Sequence, residues 1–268
     1  MILKFSIITV CFNSEATISD TLHSVAEQTW SNIEHIIIDG ASSDNTLAIV
    51  SQYASSTVKT ISEPDLGIYD AMNKGLAIST GDVVAFLNSD DCYSDKYVIK
   101  EVAEKFVSTD CDFVYGDLNM VDRNGRLVRQ WKSGLISEDG LVGSQIPHPV
   151  LFVRRSLLIQ LSPAFDISYR IAADLKQQLI IVNKYKAIGT YLPRVIAVMR
   201  LGGESTASLT NYMKGWSESV RAYNEVFGSG GILFTTKKVL SKISGLCNIL
   251  IPKCKFIGVF LRKRIDYI

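Results

Sequence analysis

The sequence lacks the signatures of several common protein classes. It contains neither a G-x-G-x-x-G dinucleotide motif nor a G-x-x-x-x-G-K-[ST] phosphate loop, which argues against dehydrogenases and NTPases. No two of its five cysteines have C-x-x-C spacing. The odd number and the missing motif favour a reducing compartment without a disulfide framework.

Long apolar runs are also missing. No stretch approaches 18 uninterrupted apolar residues, so we expect no transmembrane helix. The first residues do not combine a basic region with a long apolar run, so we also expect no signal peptide. The 268 residues, 47% of them hydrophobic and 21% charged, suffice for one large α/β domain and a C-terminal extension.

The formal net charge of +1 hides an uneven distribution. Residues 1–231 carry 20 basic and 26 acidic side chains, a net charge of −6. Residues 232–268 carry eight basic side chains and one acidic, a net charge of +7. An acidic main body argues against nucleic acid as the partner.

Apolar strands alternate with amphipathic helices along the first 90 residues. Strands are predicted over 5–12, 33–38, 58–62 and 83–87, and helices over 16–28, 46–54 and 68–78. Four repeats of this alternation predict a doubly wound, mostly parallel sheet flanked by helices. Ligands bind such sheets at the carboxyl ends of the strands.

Acidic residues follow three of these predicted strands, namely Asp39, Asp65, Asp90 and Asp91. Adjacent carboxylates are costly unless a cation or a set of donors holds them. Mg²⁺ is typically held by one or two carboxylates and by substrate phosphates. This favours a metal-diphosphate site, although Asp90 and Asp91 could instead only begin a turn and cap the next helix.

The second half adds further strands and one notable helix. Strands are predicted over 113–118, 127–131 and 148–155, with a hairpin turn at Asn124-Gly125 and a loop over 135–145. Asp174 follows within a predicted helical segment, 169–179. An acidic residue in a first helical turn often only complements the helix dipole.

Four segments together resemble a known family, the family 2 glycosyltransferases with the GT-A fold. They are Ser6-Ile-Ile-Thr-Val-Cys-Phe-Asn13, Ile38-Asp-Gly-Ala-Ser-Ser-Asp-Asn-Thr46, Glu63-Pro-Asp-Leu-Gly-Ile-Tyr-Asp-Ala-Met-Asn-Lys-Gly75 and Gly81-Asp-Val-Val-Ala-Phe-Leu-Asn-Ser-Asp-Asp91. The resemblance covers about residues 1–205 and implies an inverting, nucleotide-sugar-dependent enzyme of bacterial surface polysaccharide assembly.

The resemblance implies a role for each matching residue on the donor side. Phe12 would flank the base, Asp39 would accept its imide N–H, Asp90 would contact the ribose and Asp91 would bind Mn²⁺ or Mg²⁺ directly. The remaining nucleotide-binding positions are Gly67, Asn73 and Lys74. Asp39 could instead cap the turn that follows it, and Lys74 could be a solvated helix residue.

On the acceptor side, the resemblance implies that Asp174 is the general base. The segment from Arg200 through Gly202 and Gly203 to Thr206 is similar to the mobile loop that closes over the donor, with a simple turn as the alternative. His148 would face the acceptor or the diphosphate, although a structural histidine fits its context better.

The resemblance fades after residue 208, so we predict a GT-A domain over 1–208 and a helical extension over 209–268. Within this extension, apolar residues alternate with lysines, and the chain ends in a basic cluster. Such a segment favours an anionic membrane surface on the cytoplasmic side. The alternative is that its apolar side packs on the protein itself or on a second subunit.

Together these features predict transfer of a hexose from a nucleotide sugar, UDP-glucose or another UDP-hexose, to a lipid-diphosphate-linked saccharide in O-antigen or related synthesis. The alternatives are a sugar-1-phosphate nucleotidyltransferase, whose Gly-rich phosphate loop is missing, and an inactive sugar-nucleotide-binding protein. The predicted location is the cytoplasm, peripherally on the inner face of the cell membrane.

Overall fold

A computed structural model describes residues 2–202 and 209–250, without the side chains of residues 209 and 242–250. The strands are β1 Phe5–Cys11, β2 Ile33–Asp39, β3 Val58–Ser62, β4 Val83–Phe86, β5 Asp91–Tyr93, β6 Phe113–Val121, β7 Leu127–Trp131, β8 Leu151–Arg154 and β9 Gly189–Arg200. The helices are α1 Ile18–Ala26, α2 Thr46–Ser51, α3 Ile68–Ile78, α4 Val98–Thr109, α5 Arg155–Leu158, α6 Ala173–Gln178, α7 Leu209–Phe227 and α8 Gly231–Leu250.

The first half has the predicted α/β architecture. Strands β3, β2, β1 and β4 lie side by side in that order, and all three pairings are parallel. Every residue of β1 and β4 is buried, as expected for strands covered by helices on both faces. Their carboxyl ends therefore meet at one edge, where Cys11 pairs with Asp39 and Asp39 with Ser62.

The second half makes the sheet mixed rather than mostly parallel. Strand β8 runs antiparallel to both β4 and β6, and β5 and β7 form antiparallel pairs with β9 and β6. Only β6 and β9 pair in parallel here. The hairpin turn at Asn124-Gly125 is confirmed, since β7 returns along β6.

The strand predicted over 148–155 begins later than expected. His148–Val150 forms a 3₁₀ turn, and β8 starts only at Leu151. The two prolines that flank His148 explain the difference, because a proline has no N–H to donate to a sheet ladder. His148 is thereby placed just before β8 rather than within it.

The long strand β9 contains Pro193, and its pairing with β6 shifts register around this residue. Tyr191 pairs with Tyr115, whereas Val195 pairs with Asp117. Gly116 lies opposite this break, where a Cβ atom would be 2.5 Å from Ile196 and 2.9 Å from the Arg194 carbonyl. A proline is tolerated at such an irregularity, so β9 continues to Arg200.

The C-terminal helices pack on each other and on the main body. The ring of Tyr223 in α7 lies 4.7 Å from that of Phe234 in α8, and Lys238 Nζ donates to Ser219 Oγ at 3.1 Å. The first part of the basic extension therefore packs on the protein, while Ile232 and Leu233 remain exposed. No helix in the described part of the chain is long and apolar enough to cross a membrane.

Candidate active site

Asp39 ends β2 and is held by the turn that follows. Its side chain is fully buried, and its oxygens accept hydrogen bonds from Ser42 N at 3.0 Å and from Ser62 Oγ at 2.6 Å. The Ser42 hydroxyl donates as well. The structure thus places Asp39 at the predicted edge in a turn-holding role, and its contact with a base stays a prediction.

Phe12 lies beside this turn and is open to solvent. It follows β1 directly, is 63% exposed, and faces Gly40. Gly67, which precedes α3, has a φ of +113° and nothing within 4 Å of the position a Cβ would take. The edge thus presents an exposed aromatic ring and, at Gly67, a bare stretch of backbone.

Asn73 and Lys74 are both engaged with the protein. The Asn73 amide donates to Phe165 O at 2.8 Å and accepts from Phe165 N at 3.0 Å. Lys74 Nζ donates to Pro64 O and lies 2.8 Å from a Glu63 carboxylate oxygen. Both residues thus connect a loop to α3, which is a structural role that does not need a nucleotide. Their contacts with a nucleotide stay a prediction. Lys74 is bound to neighbouring groups and is not simply solvated.

Asp90 and Asp91 follow β4, as predicted, and Asp91 begins the short strand β5. Asp91 is only 1% exposed, and neither carboxylate oxygen has a well-formed hydrogen bond in the described part of the chain. Burial and the charge of Asp90 raise the pKa of Asp91 well above its ordinary value, and the guanidinium and backbone N–H of Arg200 offset this only in part. Burial also raises the pKa of Asp90. A buried carboxylate with so little compensation calls for a cation or a proton.

Arg200 is the cation that the fold brings to this pair. Asp91 pairs with Met199 across β5 and β9, so Arg200 lies one residue beyond. Its guanidinium forms an ion pair with Asp20 of α1 and acts electrostatically on Asp90 and Asp91. Gly202 has a φ of +122°, and Gly203 and the rest of the predicted loop lie outside the described residues.

The divalent metal implied by the family resemblance fits this corner. Within the described residues, neither oxygen of Asp91 has a well-formed hydrogen bond, and Asp90 is adjacent. No three His, Cys, Asp or Glu side chains are grouped as a metal site within residues 2–202 and 209–250. That donor set suits Mg²⁺ or Mn²⁺ shared between one or two carboxylates and a diphosphate rather than a closed metal centre.

Asp174 occupies the first turn of α6, as predicted, and lies in a polar cluster. Its Oδ1 accepts from Leu175 N at 2.8 Å. The Tyr69 hydroxyl donates to Ile171 O at 2.7 Å and lies 3.4 Å from the same Oδ1 as a longer, second contact. Its Oδ2 accepts from Gln145 Nε2 at 2.7 Å. Burial and Asp174 raise the pKa of Tyr69, so the phenol keeps its proton and acts as a donor.

His148 connects this cluster with the end of β4. Its ring lies 5.3 Å from the ring of Phe86, the last residue of β4, and 5.8 Å from that of Phe165. Neither ring nitrogen has a hydrogen-bond partner among the described residues. Burial lowers the pKa of His148, partly offset by Asp174, so the imidazole is neutral at pH 7.

Two residues that contact Asp174 or the backbone just before α6 were not identified from the sequence. Gln145 lies in a loop without periodicity, and Glu218 lies in α7, beyond the segments that resemble the family. The Glu218 carboxylate accepts from three successive backbone N–H groups, those of residues 170, 171 and 172, at 3.1, 2.8 and 3.0 Å. The one feature of the sequence that could have pointed to Glu218 is a charged residue on the side of α7 that is otherwise expected to be buried.

Comparison with known proteins identifies the family. Residues 6–155 match the model described as glycosyl transferase family 2. A PGL/p-HBAD biosynthesis glycosyltransferase of Mycobacterium bovis is 30% identical over 197 residues, which cover 72% of this chain and 75% of the relative. An uncharacterized glycosyltransferase of Nostoc is 30% identical over 64% of this chain and 57% of its own length.

Solved structures share the fold. Staphylococcus aureus TarS 1–349 in complex with UDP-GlcNAc superposes with a TM-score of 0.67 at 21% identity, covering 88% of this chain and 72% of TarS 1–349. The mannosyltransferase PcManGT from Pyrobaculum calidifontis, in complex with GDP-Man and Mn²⁺, gives 0.60 at 14% identity, covering 92% and 76%. The fold is GT-A, and by its sequence match the chain belongs to glycosyl transferase family 2 and is a glycosyltransferase.

Proposed function

We propose that this enzyme catalyses metal-dependent, inverting transfer of a hexose from UDP-hexose to a hydroxyl of a lipid-diphosphate-linked saccharide. The observation that carries the proposal is the pair of buried carboxylate oxygens of Asp91, which follows β4 and has no well-formed hydrogen bond among the described residues. These oxygens are satisfied when a metal-bound diphosphate occupies the edge of the sheet.

The groups that would bind the nucleotide-sugar donor lie at the same carboxyl edge of the sheet. Phe12 offers an exposed aromatic face for the base, and Arg200 adds positive charge beside Asp90 and Asp91. A bound Mn²⁺ or Mg²⁺ would neutralise charge on the departing nucleoside diphosphate. A nucleotide-sugar donor is supported by the UDP-GlcNAc and GDP-Man complexes of TarS and PcManGT.

The acceptor side is assigned to Asp174. Its carboxylate takes the proton of the acceptor hydroxyl while that oxygen attacks the anomeric carbon from the face opposite the diphosphate. Leu175 N and Gln145 fix the orientation of its two oxygens. A single displacement needs no covalent nucleophile and inverts the anomeric centre, so an α-linked donor gives a β-linked product.

A lipid-linked acceptor and a peripheral position on the inner face of the membrane are supported by two features. The exposed side chains of α8 include Ile232, Leu233 and Lys237, and six more basic residues follow Ser241. Basic residues near an anionic membrane each contribute about 1 kcal/mol of binding free energy. An enzyme held there meets membrane-bound acceptors directly.

The proposal is tested with Asp174→Asn, which keeps the size of the side chain and removes the proton acceptor. Transfer should fall by about 10²–10⁴-fold, as expected for a lost general base. The affinity for UDP with Mn²⁺, measured by calorimetry, should stay within twofold. Glu104→Gln, at an exposed position of α4, serves as the control, because it also replaces a carboxylate by an amide. Loss of UDP affinity along with transfer would assign Asp174 to the nucleotide site or to the fold.

A further inference from the structure

A cavity of about 220 Å³ lies under the loop that precedes His148. Its walls include Tyr115 of β6 and the loop residues Ser133, Leu141 and Ser144. Gln145 also lines it, and the same side chain donates to Asp174 Oδ2 at 2.7 Å. Gln145 is therefore the residue that the cavity wall shares with the hydrogen bonds of the proposed base, and Asp174 lies behind it.

The two oxygens of Asp174 differ in what surrounds them. Oδ1 is taken by Leu175 N and the Tyr69 hydroxyl, which belong to α6 and α3. Oδ2 accepts from Gln145, whose side chain lies between it and the cavity that Gln145 lines. A carboxylate oxygen accepts more than one hydrogen bond, so a hydroxyl at the Gln145 side of the cavity can share Oδ2 with Gln145.

The lining of the cavity has two chemical characters. Hydroxyl and amide groups are contributed by Ser133, Ser144 and Gln145, while Leu135 and Val142 are apolar and respectively 85% and 51% exposed. The volume is below the roughly 300–1,000 Å³ of sites that enclose a whole drug-sized ligand. Such a space suits a single sugar ring, with an apolar continuation lying over the exposed Leu135 and Val142.

We infer that this cavity receives the terminal sugar ring of the acceptor and presents its hydroxyl to Asp174. The inference rests on the proposed transfer reaction and adds the place where the acceptor binds. It also gives the loop 133–146 a function that its sequence, without periodicity or motif, does not indicate.

The test uses n-octyl glucoside, below its micellar concentration, as a probe that joins one sugar ring to an apolar chain. Binding to the full-length protein is measured by saturation-transfer NMR. Ser144→Trp fills the cavity with a large ring, and Val142→Asp adds a charge at its exposed rim. Each variant should weaken binding of the probe at least tenfold and raise the KM for a soluble acceptor similarly.

The matched control is Gln160→Trp, which places the same ring in a second cavity of about 420 Å³ that Asp174 does not approach. This variant should bind n-octyl glucoside as the parent does. The inference is overturned if folded Ser144→Trp and Val142→Asp both bind the probe within twofold of the parent, or if Gln160→Trp weakens binding equally. Failure of the parent to bind UDP would instead reject the proposed function.

Discussion

Two buried carboxylates that follow strands of the parallel half of the sheet show how hydrogen-bond donors separate a structural residue from a candidate ligand. Asp39 accepts hydrogen bonds from Ser42 and Ser62, whereas Asp91 has no well-formed hydrogen bond in the described part of the chain. Both are fully buried or nearly so. Since an unpaired buried charge is costly, Asp91 is the residue whose burial calls for a bound cation or a proton.

A different buried group, His35 of β2, makes the stability depend on pH. It is 5% exposed, its ring forms a hydrogen bond with the Thr9 hydroxyl at 2.9 Å, and burial lowers its pKa from 6.5 to about 4. Between these two pKa values the unfolded chain binds more protons than the folded chain, so stability falls as the pH falls through this window.

We predict that His35→Gln reduces the loss of stability in acid. The parent should lose about 2 kcal/mol more than the variant between pH 7 and pH 5, a value that follows from the two pKa values of His35. Urea unfolding of both proteins at the two pH values measures the difference. His148 is also buried and shifts in the same direction, so only the difference between parent and variant reports on His35. Equal losses would contradict the assignment.

At the scale of elements, α7 is tied to the helix that carries Asp174. Glu218 accepts three backbone N–H groups just before α6, and Glu225 accepts from Tyr169 and Lys176. These contacts cross the domain boundary predicted between residues 208 and 209. Helix α7 therefore acts as part of the support for the proposed base.

Removing this support should affect turnover more than donor binding. Glu218→Ala leaves three N–H groups without their acceptor, and each lost bond to a charged group costs about 1.5–3 kcal/mol before relaxation. We expect kcat to fall by at least tenfold, a measurable drop in Tm, and unchanged UDP affinity with Mn²⁺. Glu218→Gln, which keeps an acceptor oxygen, should recover part of kcat.

Ser217→Ala is the matched control on the same helix, because Ser217 is exposed. It should have the kcat and Tm of the parent. Should Glu218→Ala lower Tm while kcat stays at the parent value, Glu218 would stabilise the fold without positioning Asp174.

The sequence predicts those elements whose pattern is local. The strands β1, β2 and β4 are continuous, largely buried apolar runs, and β3 is a short, more exposed strand at the side of the sheet. The helices between them are amphipathic, so the order of the strands and their common carboxyl edge follow directly. Strand β5 has only three residues, and β9 contains Pro193. Their pairing depends on contacts distant in sequence, and for this reason the mixed half of the sheet was not predicted.

The same limit applies to the site. Asp91, Arg200 and Asp174 could be singled out because they belong to segments that resemble a family or end a predicted element. Gln145 and Glu218 act through hydrogen bonds to groups 29 and 46 to 48 residues away. The residues next to Gln145 and Glu218 in the sequence give no indication of these hydrogen-bond partners.

For the whole molecule, the contacts of α8 show where the basic extension can be removed. Phe234 and Lys238 are buried and pack on α7, so truncation after Gly231 would damage the fold. Truncation after Ser241 removes six of the eight basic residues of segment 232–268 and leaves these contacts. We predict an unchanged Tm and loss of co-sedimentation with phosphatidylserine-containing vesicles.

The parent should bind such vesicles less as salt rises, because the Debye length shortens to about 3 Å at 1 M salt. Neutral phosphatidylcholine vesicles are the control and should bind neither protein strongly. A truncated protein that keeps its Tm and still binds anionic vesicles like the parent would contradict the membrane role of the segment beyond Ser241.

The central claim is that a metal held by Asp91 links this fold to transfer from a nucleotide sugar. It is tested most directly by measuring UDP release from a panel of UDP-hexoses, with a soluble acceptor, in Mn²⁺ and in EDTA. The parent should turn over at least one donor in Mn²⁺ and none in EDTA, and Asp91→Ala should be inactive in both with a folded circular dichroism spectrum. Turnover by the parent in EDTA, or by Asp91→Ala in Mn²⁺, would contradict this account.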